Sequence, residues 1–362
     1  MKENSAANST RMLHRWLALG LLLFCSCASA PKREESKELH RYEFTQPQMG
    51  VPFRMVLYAV DEQSATKAAG EAFDRIARLN AIMSDYETDS ELNELSRASG
   101  QGREVHVSDD LWHVIEKSQE LAKRSSGAFD ITVGPCVSLW RRARRVKEMP
   151  DPVRLAEALQ AVGYDKVVLN ARRQTVLLKR EGMKLDLGGI AKGYAVDEAM
   201  EVLKNHGIKH ALVGGVGDIS VSAPPPGQRG WRISIVDFDG PGFLTNRAVM
   251  LKNCAISTSG DSAQRLEING RRYSHVLDPR TGIGLTDHSL VTVIAADSIT
   301  ADSFAKVVGV LGPVRGLDFI KSHRGVHARV VREPNDTIQS VESGRFRFFY
   351  AAENQRLNSP SR

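Results

Sequence analysis

The sequence predicts an α+β fold in which mixed sheets pack against helices within one domain. Strand-like segments follow one another directly in several parts of the chain, whereas a doubly wound parallel sheet needs a helix between successive strands. Between these segments, apolar residues recur at helical spacing, which indicates amphipathic helices. Neither an internal repeat nor a linker interrupts the chain after residue 41. The composition, 42% hydrophobic and 25% charged over 362 residues, is typical of globular proteins.

The first half of the domain opens with a predicted strand pair at residues 42–60. Met49-Gly50-Val51-Pro52 interrupts its alternation of apolar and polar residues, so a turn is expected there. The polar stretch 84–99 predicts a loop with a short helix. Cap and stop residues such as Ser108, Asp109, Gly127 and Gly163 delimit the longer helices. Helices are predicted at residues 64–84, 108–124 and 152–162, and strands at 165–169 and 175–179.

The second half predicts strands that end in glycine pairs. Residues 184–187 form a predicted strand that enters Gly188-Gly189, and a helix over 190–205 follows. Residues 210–213 form another predicted strand, which enters Gly214-Gly215. From residue 319 onward, one more helix and closing strands are expected. The remaining elements are strands at 231–236, 247–251, 254–257 and 291–296, and a buried helix at 298–311.

The first 26 residues predict a signal peptide of the lipoprotein type. Arg11, His14 and Arg15 precede the apolar run 16–24, which is too short to span a bilayer. The stretch Leu23-Phe24-Cys25-Ser26-Cys27 resembles a lipoprotein box, so lipidation of Cys27 is expected; the alternative is plain cleavage after Ala28-Ser29-Ala30. The organisation that follows is a charged tether at 27–41, a domain at 42–352 and a disordered tail at 353–362.

The net charge of +6 does not indicate a nucleic-acid-binding surface. The positive excess is confined to residues 1–41 and to the segment 141–148, RRARRVKE, and the rest of the chain is slightly negative. A nucleic-acid partner would require a basic stripe along the domain. RRARRVKE is interpreted as a solvated loop, and contact with anionic lipid or an acidic partner is the alternative.

Generic catalytic signatures are absent from the sequence. It has no GxxxxGK[ST] loop, no GxGxxG opening a helix, no GxSxG elbow, and no CxxC pair or HExxH zinc motif. Ser-x-x-Lys occurs at Ser64 and at Ser303, but without the companion motifs of a serine acylase in the required order. Cys136 and Cys254 are either a disulfide pair or two small core residues.

Five segments concentrate glycine, hydroxyl and carboxylate residues at the ends of predicted elements. Each also has a purely structural interpretation; Gly134-Pro135, for example, is typical of a turn. Three chemical hypotheses follow from them. Gly188-Gly189 before a helix suits phosphate binding, Asp186 and Asp302 suit Mg²⁺, and His275 suits a base beside the rigid Asp278-Pro279 turn. The segments are residues 83–92, 127–135, 186–194, 257–261 with 274–282, and 301–306.

In this order the segments resemble those of the ApbE-type FAD:protein FMN transferase family, over about residues 49–312. The resemblance implies a single T-fold-like domain, FAD as substrate and Mg²⁺ as cofactor. It also implies transfer of FMN to a threonine or serine hydroxyl of another exported protein, with release of AMP. Acceptors would be subunits of membrane redox complexes, which suits an enzyme anchored by lipid to the periplasmic face of a membrane.

The resemblance assigns roles to individual residues. His275 corresponds to the general base, and Asp302, the carbonyl of Gly189 and position 306 correspond to the Mg²⁺ ligands. Tyr86 and Phe129 are placed to flank the flavin ring or the adenine. The FAD contacts are Met49, Tyr86, Ala128, Phe129, Asp130, Asp186, Lys192 and Leu277.

Lys306 departs from the family pattern, which has threonine there. A protonated lysine cannot ligate Mg²⁺. Either the Lys306 ammonium takes the place of the cation beside the diphosphate, or it points away and Asp302, carbonyls and FAD oxygens hold Mg²⁺. The turn at residues 213–218 also lacks the usual asparagine, although Gly217-Asp218 is present.

The expected reaction needs a neutralised diphosphate and an activated hydroxyl. His275 would take the acceptor proton, while the cation and the Gly188-Gly189 amides stabilise the developing charge. Two alternatives use the same scaffold: an FAD pyrophosphatase, in which water replaces the acceptor, and a flavin-binding lipoprotein without catalysis.

Overall fold

A computed structural model describes residues 38–240, 243–260, 265–334 and 337–352. The helices in these ranges are α1 (Glu62–Met83), α2 (Glu91–Arg97), α3 (Asp109–Arg124), α4 (Gly134–Val146), α5 (Pro152–Gln160), α6 (Ala191–Asn205) and α7 (Ser298–Lys321). The strands are β1 (His40–Gln48), β2 (Val51–Ala59), β3 (Val105–His106), β4 (Val167–Asn170), β5 (Thr175–Leu178), β6 (Ala211–Gly215), β7 (Asp218–Val221), β8 (Trp231–Gly240), β9 (Phe243–Leu251), β10 (Cys254–Gly260), β11 (Arg265–Ile268), β12 (Arg271–Ser274), β13 (Leu277–Asp278), β14 (Ile283–Gly284), β15 (Ser289–Ala295), β16 (His327–Arg332) and β17 (Gln339–Glu342).

An eight-stranded antiparallel sheet carries the fold, in the order β1-β2-β6-β7-β10-β15-β16-β17. The predicted break at Met49 and Gly50 is the turn between β1 and β2, where both residues have positive φ. In β2, Met55 and Leu57 face one side of the sheet and Val56 faces the other, as the two-residue period requires.

Each face of the sheet is covered by a different partner. Helices α1, α6 and α7 pack on one face, where Phe53, Ile76, Val196 and Val307 are fully buried. The β8–β9 hairpin covers the other face through Trp231, Val249 and neighbouring residues, packed against Val56 and Ile256. The predicted α+β class with mixed sheets and packed helices is confirmed.

A smaller cluster joins helices α4 and α5 to the loops around β12, β13 and β14. Its buried members include Cys136, Trp140, Leu155, Tyr273 and Leu277. The indole Nε1 of Trp140 donates a 2.7 Å hydrogen bond to the carbonyl of Gly282. Gly282 has φ of +68°, and a Cβ there would lie 3.1 Å from the Cys136 sulfur. This close approach fixes the 274–282 segment against α4.

Three predictions of local structure were wrong. Residues 184–187 make one parallel bridge, between Lys184 and Val133, rather than a strand, because the neighbouring segment turns into α4 at Gly134. Gly134-Pro135 begins that helix instead of forming a turn, since proline suits the first helical turn. Residues 141–146 of RRARRVKE accordingly form the end of that helix, and Lys147 is its C-cap, so the segment is not a loop.

Helix α7 is longer than predicted, and the structure decides between the two interpretations of the cysteines. Helix α7 continues past the predicted residue 311 to Lys321, with a kink at Gly312 where φ is +75°. The helix expected from residue 319 is thus its second half, which begins earlier at Pro313. Cys136 and Cys254 are both free thiols, the first buried and the second half-buried.

The predicted signal peptide, Cys27 and the tail at 353–362 lie outside the described residues, as does all but the end of the predicted tether. Strand β1 begins at His40, two residues before the predicted start of the domain. Within the ranges that the structure describes, no helix has the length and apolar character needed to cross a membrane.

Gly193 sets the contact between α6 and α7. A Cβ added there would lie 2.4 Å from the carbonyl oxygen of Ser298 and 2.9 Å from the Cβ of Asp302. We therefore expect Gly193→Ala to lower the free energy of unfolding by about 1–3 kcal/mol, since the two helices must separate. Urea denaturation followed by circular dichroism measures this change.

Gly70→Ala is the matched control, because Gly70 lies within α1 and nothing is within 4 Å of an added Cβ. Its replacement should stabilise the protein by about 0.5–1 kcal/mol through helix propensity. Equal effects of the two alanines would contradict the close-packing role of Gly193.

Candidate active site

Two lysines and two aspartates meet where α6, α7 and β7 converge. Lys192 lies in the first turn of α6, and its Nζ is 2.6 Å from Oδ2 of Asp218, the first residue of β7. Asp302 and Lys306 lie one turn apart on α7 and form an ion pair between Oδ1 and Nζ. The remaining oxygens are also bonded: Ser257 Oγ donates to Asp218 Oδ1 at 2.6 Å, and Gly193 N donates to Asp302 Oδ2 at 3.1 Å.

Burial in this group, the lysine–aspartate cluster, is uneven. The side chains of Asp302 and Asp218 are 0% and 2% exposed, whereas those of Lys306 and Lys192 are 16% and 24% exposed. Of these four side chains, an anion that enters from solvent therefore meets those of the lysines first. The four formal charges cancel, so the carboxylates hold both lysines in place without a net charge on the buried cluster.

Burial and the charges within the cluster shift the pKa values of Lys192, Asp302 and Asp218. Burial alone would lower the pKa of Lys192, but Asp302 and Asp218 raise it overall, so the ammonium is retained. Burial alone would raise the pKa of Asp302, yet Lys306 and Lys192 lower it. The pKa of Asp218 is raised by burial and by the charge of Asp302. At neutral pH Lys192 is therefore a cation.

Gly189 lies between Phe129 and the stem of Lys306. A Cβ there would be 3.3 Å from Cε2 of Phe129 and 3.4 Å from Cγ of Lys306. The structure thus brings together three residues that were predicted as site residues from separate segments. The neighbouring Gly188 amide is not available to a phosphate in this conformation, because it donates to Asp186 Oδ1 at 2.8 Å.

Arg141 connects Asp85, Tyr86 and Asp186 into a second group, here called the Arg141 group. Its guanidinium pairs with Asp85, lies 3.2 Å from Asp186 Oδ2, and sits 4.1 Å from the centroid of the Tyr86 ring. The Tyr86 residue is nevertheless 75% exposed. Burial and the nearby Asp85 raise the pKa of Asp186, which the Gly188 amide and Arg141 oppose. Arg141 was missed because no motif distinguishes it within RRARRVKE.

A cleft of about 420 Å³ opens beside the Arg141 group, a size in the range of small-molecule sites. It offers an aromatic ring, hydroxyl and amide groups and two basic side chains. Its lining includes Asp85, Tyr86, Asn93, Ser96, Arg97, Met183 and Lys184.

Asp130 supports the site from within the protein. It is 5% exposed, and its oxygens accept hydrogen bonds from the amide and hydroxyl of Thr132 at 2.8 and 2.7 Å and from the Tyr164 amide at 2.8 Å. Burial raises the pKa of Asp130, and these donors offset that effect. Ala128 and Phe129 are likewise buried. In this structure the carboxylate holds the turn that places Phe129 against Gly189.

His275 lies in the short connection between β12 and β13 and is half-buried. The predicted rigid turn after it is present, because the Asp278 carboxylate accepts from the Arg280 amide at 3.0 Å and from its guanidinium at 2.7 Å. A small cavity separates this connection from α7. It is lined by Ser274, Val276 and Ala305, so the neighbours of His275 and of Lys306 share one space.

Leu277 and Met49 occupy less accessible positions. Leu277 is 7% exposed and packs within the α4–α5 cluster. Met49 is half-buried at the β1–β2 turn and packs against the main core. Leu277 begins β13 and Met49 lies in a turn, and neither side chain has a polar group to orient a ligand.

The residues present do not fit Mg²⁺ in the way that the resemblance implies. Asp302 has an N–H donor on each oxygen, and one of them is an ammonium that would repel a divalent cation. Within the described part of the chain, no group of three or more His, Cys, Asp or Glu side chains is arranged to hold a metal ion.

The fold and the two groups define a class of protein, namely an α+β domain whose lysines and exposed tyrosine suit an anionic ligand with a planar ring. The chain belongs to the ApbE family, whose model matches residues 49–330.

Relatives and solved structures agree with this membership. FAD:protein FMN transferases of Haemophilus influenzae and Treponema pallidum are each 30% identical to this chain, over 78% and 84% of it and 85% and 88% of their own lengths. The apo flavinyl transferase ApbE of Pseudomonas stutzeri is 27% identical, with a TM-score of 0.77 over 87% of this chain and 98% of its own. The ApbE protein of Thermotoga maritima is also 27% identical, with a TM-score of 0.76 over 86% of this chain and 100% of its own.

The burial of Asp218 predicts a large effect of Lys192→Met. Without the ammonium, a carboxylate that is 2% exposed loses its partner, and the free energy of unfolding at pH 7 should fall by about 3–5 kcal/mol. The deficit should shrink as the pH falls toward 5. Lys192 lowers the pKa of Asp218, so its loss raises that pKa further, and the folded variant gains more stability than the unmodified protein when the carboxyl is protonated. Urea denaturation at both pH values measures it.

Lys204→Met is the control on the same helix, since Lys204 is 72% exposed and pairs with Glu201 at the surface. A change within about 0.5 kcal/mol is expected there. A deficit for Lys192→Met as small as that of the control would show that the Asp218 pair contributes nothing specific.

Proposed function

We propose that this chain transfers FMN from FAD to a threonine or serine hydroxyl of an exported acceptor protein and releases AMP. The observation that carries the proposal is the similarity to proteins named FAD:protein FMN transferase along most of the chain. The geometry is consistent with it, because two partly exposed lysines and an exposed tyrosine suit the diphosphate and a ring of FAD.

The reaction is a phosphoryl-type displacement. The acceptor oxygen forms a bond to the phosphorus on the flavin side, and the bond from that phosphorus to the bridging oxygen breaks. The electron pair leaves with AMP, while the hydroxyl proton passes to a base. Catalysis of such a step depends on positioning and on neutralising the charge of the phosphate oxygens.

The residues divide these tasks. Lys306 and Lys192 supply positive charge to the diphosphate, and the buried carboxylates behind them fix their positions. His275 takes the acceptor proton, held beside the Asp278 turn. Tyr86 offers a stacking surface at the cleft. The Mg²⁺ dependence that the resemblance implies stays a prediction, and no step is assigned to that ion.

The proposed location is supported by the N-terminal leader, and the proposed class of acceptor is supported by that location. The signal-like segment and Cys27 support export and a lipid anchor at the periplasmic face of a membrane. An anchored enzyme meets acceptor subunits of membrane redox complexes at that surface. Globomycin treatment or Cys27→Ala should leave the precursor unprocessed if Cys27 is lipidated, whereas cleavage after Ala30 would be insensitive to both.

The mature protein, FAD and an acceptor with an Asp-Gly-x-Thr site test the function directly. Covalent flavin fluorescence on the acceptor in a denaturing gel, with AMP released in equal amount, is the expected result. An acceptor with valine in place of the threonine is the control. AMP and FMN without labelled acceptor would indicate a pyrophosphatase, and bound intact FAD without products would indicate a carrier; either outcome contradicts the proposal.

His275→Ala should lower the rate of acceptor labelling by about 10²–10⁴-fold, the contribution of a positioned base. FAD binding, followed by quenching of flavin fluorescence, should change little because the base acts on the acceptor. His206→Ala is the control, since His206 pairs with Glu71 at the end of α6, away from the cluster. A normal labelling rate for His275→Ala would remove the histidine from this role.

A further inference from the structure

The two oxygens of Asp302 are committed to donors from this chain. Its side chain is 0% exposed, Oδ1 takes the Lys306 ammonium, and Oδ2 takes the Gly193 amide at 3.1 Å. Mg²⁺ needs oxygen ligands at about 2.1 Å in near-octahedral order. A divalent ion at Oδ1 would have to displace the ammonium or lie against it, and like charges at that distance repel strongly.

Lys306 is held in this position from two directions. Asp302 lies four residues earlier on the same helix, which places the two side chains on one face of α7. The aliphatic stem of Lys306 also lies against Gly189, where even a methyl group would be 3.4 Å from Cγ. Moving the ammonium away would break a buried ion pair and leave Asp302 without its countercharge, at a cost typical of buried pairs.

The lysine–aspartate cluster therefore carries its own cations on its exposed side. Lys192 is held by Asp218 as Lys306 is held by Asp302, and the side chains of both lysines are more exposed than those of the aspartates. A ligand with two linked phosphates brings about two negative charges to this side. Two ammonium groups match that charge without a metal ion.

We propose that the Lys306 ammonium replaces the divalent cation at this site, so that the chain binds FAD and transfers FMN without Mg²⁺. The inference rests on the proposed function for its transfer step only. The binding step is measured separately, so the two can fail independently.

The first test uses the unmodified mature protein after removal of metal ions by chelation. Mn²⁺, titrated with FAD present and followed by electron paramagnetic resonance, should show no stoichiometric protein-bound ion. The FAD dissociation constant, from fluorescence quenching, should agree within twofold in EDTA and in millimolar Mg²⁺. One tightly bound Mn²⁺ per chain, or FAD binding weakened tenfold or more by EDTA, would overturn the proposal.

Variants at position 306 provide the second test. Lys306→Thr exchanges the ammonium for a neutral oxygen, so it should bind one Mn²⁺ with FAD and require Mg²⁺ for tight FAD binding. Lys306→Met removes the charge without a replacement and should weaken FAD binding tenfold or more in EDTA and in Mg²⁺ alike. Lys321→Thr, at an exposed position late in α7, should behave as the unmodified protein.

Circular dichroism establishes whether each variant is folded, and the metal titration of the unmodified protein stands even if a variant is not. Tight, metal-free FAD binding without acceptor labelling would refute the transferase function and support the cation assignment. Labelling that occurs only with Mg²⁺ would support the function and refute the cation assignment.

Discussion

The crossing of α6 and α7 at Gly193 is the contact on which the site depends. Because Gly193 has no side chain, its amide reaches Asp302 and the two helix backbones touch beside Ser298. Lys192 is the preceding residue on α6, so the same contact brings it to the cluster. Strands β6 and β7 of the sheet pack against α6, and β10 and β15 pack against α7. A larger residue at 193 would separate the two lysines as well as the helices.

At this crossing, each buried carboxylate is stabilised by the lysine that it holds in position. Carboxylates that are buried without partners are expensive, and each of the two here has a lysine and a second donor. The lysines are thereby fixed before any ligand arrives. Preorganised charge of this kind needs no rearrangement when a phosphate group develops additional charge. Under the proposed function, stability and chemistry thus use the same four side chains.

The sequence predicted the elements better than the contacts. Strand alternation and cap residues predicted β1, β2, α1, α3 and α6 closely, because those signals are local. The resemblance assigned Gly189 and position 306 to the metal site and Phe129 to the FAD site, but it did not predict that they touch, since residues far apart in the chain form this contact. Arg141 was not predicted as a site residue because its contacts depend on α4. The sequence did not predict that helix, since Gly134-Pro135 at its start was interpreted as a turn. The lipidation of Cys27 and the Mg²⁺ dependence implied by the resemblance stay predictions.

The Arg141 guanidinium covers one side of the Tyr86 ring and leaves the residue largely open to solvent. A planar ligand that stacks on this ring must therefore arrive from the opposite side. In such a complex the Tyr86 ring would lie between the Arg141 guanidinium and the ligand. Since Asp85 and Asp186 hold the cation on that side, the direction of entry is determined by the protein and not by the ligand. Only one face of the Tyr86 ring is therefore open to stacking, so a stacked ligand could take only one position relative to Arg141.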